Sequence, residues 1–402
     1  MQQVFSSGWL YLFIIVMVIS IVRILYKVRT IQKEAPMDRP VIKVEPIPKP
    51  DPVSEAPGHS PLLAASETLI RQGAYNDALR SLESLLEDLS PTEDRELRGM
   101  VLFRIGACYS CLATGGDRFQ YLLRAGEALR EAVRMFTPAR YRSYYLRALG
   151  ELAGLYEDLA RGNNPVGNLN QAARTSETGA ASARKSGLIT EEAMFLVRAG
   201  NAHRQLALQS EPQINLRKAV DHYEKSAALL KMTDDESTLP GQMKILKVLG
   251  DTYADLARYF QKKESLTHAV NAYDKALQIM DETQHLEERS AVLTDACRAL
   301  LELYDTEKSP AHIRQALRYG RDALDASKGV KIPVIRGLAM AVMGDALTRY
   351  AEVKDRIENL ERAVKLYETA LGIVKEGEEP GQRERIREAL AEAIRKLSPD
   401  SV

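Results

Sequence analysis

The sequence predicts an all-α chain: an array of stacked helix pairs behind one membrane-spanning helix. Three observations carry this. The first 22 residues are apolar or uncharged. A proline-rich stretch follows at 34–61. From residue 62 onward, small and large apolar residues recur with a spacing of about 47, a period characteristic of helical repeat architectures. Composition narrows the alternatives. The chain has 402 residues, with 55 Lys+Arg against 55 Asp+Glu. Zero net charge argues against a dedicated nucleic-acid binder. Three cysteines cannot build a disulfide framework.

The apolar run Trp9–Val22 carries no charge, and Arg23 then interrupts it before Ile24, Leu25 and Tyr26. At a rise of about 1.5 Å per residue, some 20 such residues span a hydrocarbon core. Trp9, Tyr11 and Tyr26 stand where interfacial aromatics belong. A cleaved signal peptide would place its basic residues before the apolar run. Here Arg23, Lys27, Arg29 and Lys33 follow it. Residues 1–33 are therefore expected to be a retained single-pass anchor. The positive-inside rule puts the bulk of the chain in the cytoplasm, at the cell (inner) membrane.

Residues 34–61 hold prolines at 36, 40, 46, 48, 50, 52, 57 and 61. Proline fixes φ and removes the backbone donor, so neither helix nor central strand is expected. The segment reads as a polyproline-type linker that holds the following domain off the bilayer.

The repeat is visible as columns. Ala78, Ala125, Ala172, Ala219, Ala269, Ala316 and Ala363 are separated by 47 residues, or by 50 once. Nineteen residues before the last six stand Gly106, Ala153, Gly200, Gly250, Cys297 and Gly344, all small. Four residues before this small column come Leu102, Leu149, Leu196, Leu246, Leu293 and Met340. Three after it come Tyr109, Tyr156, His203, Tyr253, Leu300 and Leu347. These offsets define one face of a helix A. On helix B, the alanine column is followed at +4 by Tyr223, Tyr273 and Tyr367, and at +7 by further small residues. Small columns let helix backbones approach, and large ones fill the space between them. Ser309-Pro310 reads as an N-cap with proline at N1, and Asp117 and Asn168 as caps of other B helices. Pro138, Pro240-Gly241, Pro333 and Pro380-Gly381 are expected between repeats, and Gly115-Gly116 at a helix–helix turn. Residues 383–397 form an amphipathic stripe at 386, 390, 394 and 397, expected as a capping helix, with 398–402 as a tail.

These columns resemble the tetratricopeptide repeat, whose motif carries a large apolar residue, then glycine, then an aromatic on helix A, and alanine, aromatic and alanine on helix B. The resemblance covers about 62–397, with longer helices and loops than the usual repeat. It is similar to the long arrays that accompany CHAT-type proteases, although this chain has no room for such a domain after the array. HEAT-like repeats have similar periods. The resemblance implies about seven helix pairs plus a cap, wound as a right-handed superhelix.

No catalytic motif of the GxSxG, HExxH, P-loop or GxGxxG type occurs. Cys108-Tyr-Ser-Cys111 is the one CxxC, and a metal or redox sensor built on it would be an alternative function. A zinc site there would need two more ligands. Cys297 lies in the small packing column. His203 and His222 share one repeat, but the sequence offers no third ligand, so no metal, cofactor or catalytic residue is expected. The resemblance implies that helix-A side chains outside the packing columns line a partner-binding groove. At offsets −3, +1, +4 and +5 these are Asn201, Arg204, Gln205, Lys247, Asp251, Asp255, Arg298, Glu302, Asp345 and Arg349. The carboxylate clamp of some relatives needs Lys and Asn at −3 and +1; Lys247 is followed by Asp251. The expectation is a non-enzymatic, membrane-anchored scaffold that binds a protein or peptide partner, with no nucleic acid. A self-assembling structural element with homo-oligomeric contacts is the alternative.

Overall fold

The computed structural model describes residues 61–90, 92, 94–114, 117–233, 235–375 and 381–398. The expected membrane anchor and nearly all of the proline-rich linker lie outside these residues, as do Gly115-Gly116, Pro380 and most of the tail. Among the described residues no helix is long and apolar enough to cross a membrane.

The described residues contain fifteen α-helices and no strand. They are α1 (Pro61–Arg71), α2 (Tyr75–Asp88), α3 (Arg95–Leu112), α4 (Arg118–Met135), α5 (Arg142–Ala160), α6 (Pro165–Lys185), α7 (Ile189–Leu206) and α8 (Pro212–Lys231). Then follow α9 (Leu239–Leu256), α10 (Lys262–Ile279), α11 (Leu286–Glu307), α12 (Pro310–Ser327), α13 (Pro333–Tyr350), α14 (Arg356–Ile373) and α15 (Gln382–Leu397). Odd-numbered α1–α13 are the A helices and even-numbered α2–α14 the B helices, giving seven pairs and a final helix. Each helix packs on the next, and the A helices α3, α5 and α7 and the A helices α9, α11, α13 and α15 also touch in succession, with α7 reaching α9 through Arg204 and Asp255. The A helices are therefore drawn together along one side of the array.

The small column explains the pairing. A Cβ on Gly200, Gly250 or Gly344 would lie 2.7, 2.5 or 2.8 Å from the ring of Tyr223, Tyr273 or Tyr367 respectively. These three contacts between helices A and B thus depend on glycine, because a methyl group at those distances overlaps the ring. Where the partner is smaller, the column admits more bulk. Ala153 faces the pair whose +4 residue is Ser176, and Cys297 the pair whose +4 residue is Gly320. The Cys297 thiol donates to the Ala316 carbonyl at 3.1 Å, in the space a tyrosine fills elsewhere.

Loop geometry repeats as closely as the helices. Asn164, Glu211, Gln261, Lys308 and Asp355 all have positive φ, between 38° and 52°. They occupy one column, directly before the B helices or one residue earlier. Four residues later, Asn168, Asn215, Ser265 and Asn359 donate a side-chain hydrogen bond to the carbonyl five residues back, at 2.7–2.9 Å. This latch closes the loop and satisfies a carbonyl of the turn that follows helix A. Asn168 is therefore a latch; the capping oxygen of α6 belongs to Asn164, which accepts from the Gly167 amide. Asp117 and Ser309 occupy the N-cap positions without a side-chain capping bond. Pro240 and Pro333 lie in the first turns of α9 and α13, where a missing N–H costs nothing.

Successive pairs are tied by arginines that share one column, eight residues before the small column in α3 and α11. Arg98 donates to the Leu86 and Leu89 carbonyls, Arg289 to Leu277, and Arg383 to Leu371 and Val374. Each thus caps the C-terminal end of the preceding B helix. On α15, Ile386 and Ala393 are buried and Leu390 and Leu397 pack beside them, but Ile394 is exposed. The 3.6-residue period favours 393 over 394 once 386 and 390 are fixed.

Candidate functional site

The ten residues expected on the groove face come from four A helices, and the structure links most of them into one polar strip. Arg204 on α7 meets Asp255 on α9 at 3.6 Å. Lys247 on α9 reaches its neighbour Asp251 at 2.9 Å and Asp295 on α11 at 3.3 Å. Arg298 pairs with Asp295 at 3.3 Å. Arg349 on α13 grips both carboxylate oxygens of Asp305 on α11. Arg385 on α15 reaches Asp345 on α13 at 3.4 Å. Glu302 is exposed, and Gln205 is half-buried on the same helix face.

Three of the ten also do structural work. Asn201, Asp251 and Asp345 stand at offset +1 and accept the hydroxyls of Tyr223, Tyr273 and Tyr367 at 2.7, 2.8 and 2.8 Å. Burial pushes the Tyr223 and Tyr367 hydroxyl pKa values up, so both remain donors. Glycine at offset 0 makes room for the ring, and Asn or Asp at +1 receives its hydroxyl. For Lys247, burial pulls the pKa down, but Asp251 and Asp295 more than offset it and hold the ammonium charged.

The columns missed Asp295, Asp305 and Arg385, which lie off the four chosen offsets. They also missed a cleft of about 450 Å³ where α3, α5 and α7 converge. Its lining includes Arg147, Glu151, Glu157, Phe195 and Arg198. Its signal was present: α5 carries Gly150 and Gly154 at offsets −3 and +1, where other pairs carry larger residues. Arg198 fills part of the freed space, lying against Gly154 and donating to the Gly150 carbonyl. Burial raises the Glu157 pKa, with Arg198 opposing the shift.

The cysteines divide by exposure. Cys108 and Cys297 are buried and Cys111 is exposed. Burial pushes the Cys108 thiol up to about 11 and the Cys297 thiol up to about 12. Thiolate is the reactive form. In the native chain, a thiol reagent such as Ellman's is therefore expected to titrate one sulfhydryl rapidly, and all three after denaturation. Rapid titration of all three without denaturant would contradict this burial.

A second cluster lies between the third and fourth pairs. Glu177 on α6 faces His203 on α7 and His222 on α8, with donor atoms within 4.8 Å of one another. The histidine pair was visible in the sequence; the carboxylate was not, because it comes from the preceding repeat.

No protein-family model matches the chain, and no curated protein matches it. Among solved structures, it is similar to the C-terminal part of a TPR repeat-containing protein from Cytophaga hutchinsonii. The identity is 12%, over 82% of this chain and 99% of that one, with a TM-score of 0.49. It is also similar to the nuclear import adaptor Nro1 of S. pombe, at 15% identity over 75% of this chain and 99% of that one, with a TM-score of 0.39. The TPR2AB domain of yeast Sti1, solved as a complex with pHSP90, matches at 16% identity over 74% and 98% of the two chains, with a TM-score of 0.25.

Proposed function

We propose that the chain is a scaffold whose A-helix face binds an extended segment of a protein partner. The repeat domain would wind as a right-handed tetratricopeptide-type superhelix. Residues 1–33 would anchor it in the inner membrane, with 34–61 as spacer and the repeats in the cytoplasm. The observation that carries this reading is the strip itself. Side chains from α7, α9, α11, α13 and α15 join into one polar surface across helix pairs, and the cleft at α3, α5 and α7 opens on A helices as well. Solenoids present extended binding surfaces of this kind, built from many repeats at once. Mixed charges suit a polypeptide, which offers both signs along its length.

Charge reversal tests the reading. Glu151→Arg with Glu302→Arg, both on exposed A-face positions, is expected to reduce recovery of crosslinked partners by the full-length chain in cells at least tenfold. Lys225→Glu on the exposed surface of α8 should leave recovery unchanged. Equal losses from both changes would sink the assignment of the A face. Deleting residues 1–33 should move the protein from the membrane to the soluble fraction.

A further inference from the structure

We propose that Glu177, His203 and His222 form a binding site for a divalent transition-metal ion of the zinc type, which clips the third helix pair to the fourth. The second and fifth pairs give the starting point. There, a helix-A tyrosine donates its hydroxyl to an acidic residue on the preceding B helix. Tyr109 reaches Glu83 at 2.9 Å and Tyr253 reaches Glu224 at 2.6 Å. His203 occupies the tyrosine position and Glu177 the acidic one. Their separation, however, is 3.5 Å from Nε2 to Oε1. That is beyond the range of a good N–H···O bond.

The hydrogen bonding around His203 shows why. The Asn215 side-chain amide donates to the Ser210 carbonyl at 2.8 Å as the loop latch. Its oxygen therefore faces His203 Nδ1, at 3.3 Å. In the tautomer that donates from Nδ1 to this oxygen, Nε2 presents a lone pair to a carboxylate oxygen. Two lone pairs face each other unless a cation lies between them. His222 brings its own Nε2 to the same Oε1 at 3.2 Å, with its ring stacked on that of His203 at 5.5 Å.

Metal–nitrogen and metal–oxygen bonds of about 2.1 Å in a tetrahedron put neighbouring ligand atoms about 3.4 Å apart. The 3.2 and 3.5 Å separations match two such edges. Two imidazoles and one carboxylate form a ligand set suited to zinc. Asn215 would be the outer residue that fixes the His203 tautomer. His203 and His222 are largely buried, whereas the Glu177 side chain is 44% exposed. The remaining coordination positions thus open to solvent.

Cobalt titration of the full-length chain, purified in detergent and stripped with a chelator, tests the proposal. One equivalent of Co²⁺ should produce visible ligand-field absorption, displaced by one equivalent of Zn²⁺, and Zn²⁺ should raise the unfolding temperature. His222→Ala should abolish the signal while circular dichroism stays unchanged. Asn215→Ser keeps a latching hydroxyl, as Ser265 does in the next pair, but removes the oxygen facing His203. It should weaken Co²⁺ affinity about tenfold. The proposal is overturned if no saturable one-equivalent binding appears, in which case a protonated histidine bridges to Glu177. It is equally overturned if binding persists unchanged in both His222→Ala and Glu177→Gln.

Discussion

Tyr273→Ala is expected to destabilise the fifth helix pair by about 3–5 kcal/mol, the usual cost of deleting a buried aromatic side chain. Tyr273 is 1% exposed. Its ring covers the Cα of Gly250, and its hydroxyl reaches Asp251, itself 2% exposed. The substitution therefore opens a cavity and removes a donor from a buried carboxylate in one step. In a repeat array the loss is felt first locally, because each pair contacts mainly its neighbours. Hydrogen exchange of the α9 and α10 amides should accelerate more than that of α3 and α4. The reciprocal change carries the sharper test. Gly250→Ala in the native background puts a methyl group against the ring and should cost about 1–3 kcal/mol. In a Tyr273→Ser background it should cost much less, since Ala153 with Ser176 is the combination found in the third pair. A double-mutant cycle showing no coupling would refute the size-matching account.

Lys247→Val carries the second large effect. Lys247 is the cation between the buried Asp251 and the partly exposed Asp295. Removing it takes from the buried Asp251 a salt-bridge partner at 2.9 Å, at a cost of about 3 kcal/mol. The preceding pair shows how the chain solves the same position without charge. There Val197 stands at −3 and Asn201 at +1, and Asn201 still accepts the Tyr223 hydroxyl. Transplanting that solution as Lys247→Val with Asp251→Asn should recover most of the stability lost by Lys247→Val alone. Urea unfolding of the three variants decides it; a double variant no more stable than the single one contradicts the charge-pairing explanation.

Much of this architecture was legible in the residues. The columns around Gly200, Gly250 and Gly344 fix where helix A meets helix B, because backbone approach at those points tolerates no side chain. Tyr223, Tyr273 and Tyr367 were visible as the bulky partners. Their acceptors were visible too, but as groove residues: polarity at Asn201, Asp251 and Asp345 reads as solvent exposure until the hydroxyl is placed beside them. Asn168 looked like a cap because Asn caps helices well, yet its side chain turns back to the Asn163 carbonyl. Arg385 and Glu177 were hidden for a different reason. Each acts on a neighbouring helix pair, and a one-dimensional column shows which residue types recur without showing which pair they touch. The cleft near Gly150 and Gly154 was legible as missing bulk, but only against the offsets of the other pairs.

Site-specific photocrosslinking in cells tests the assignment of the A-helix face most directly. A photoreactive residue would be placed in the full-length chain at Glu151 and at Glu302, and separately at Lys225 on the outer surface of α8. The account predicts that the two A-face positions crosslink to the same partner polypeptide and that the α8 position does not. Crosslinks from Lys225 alone, with neither Glu151 nor Glu302 reacting, would contradict it.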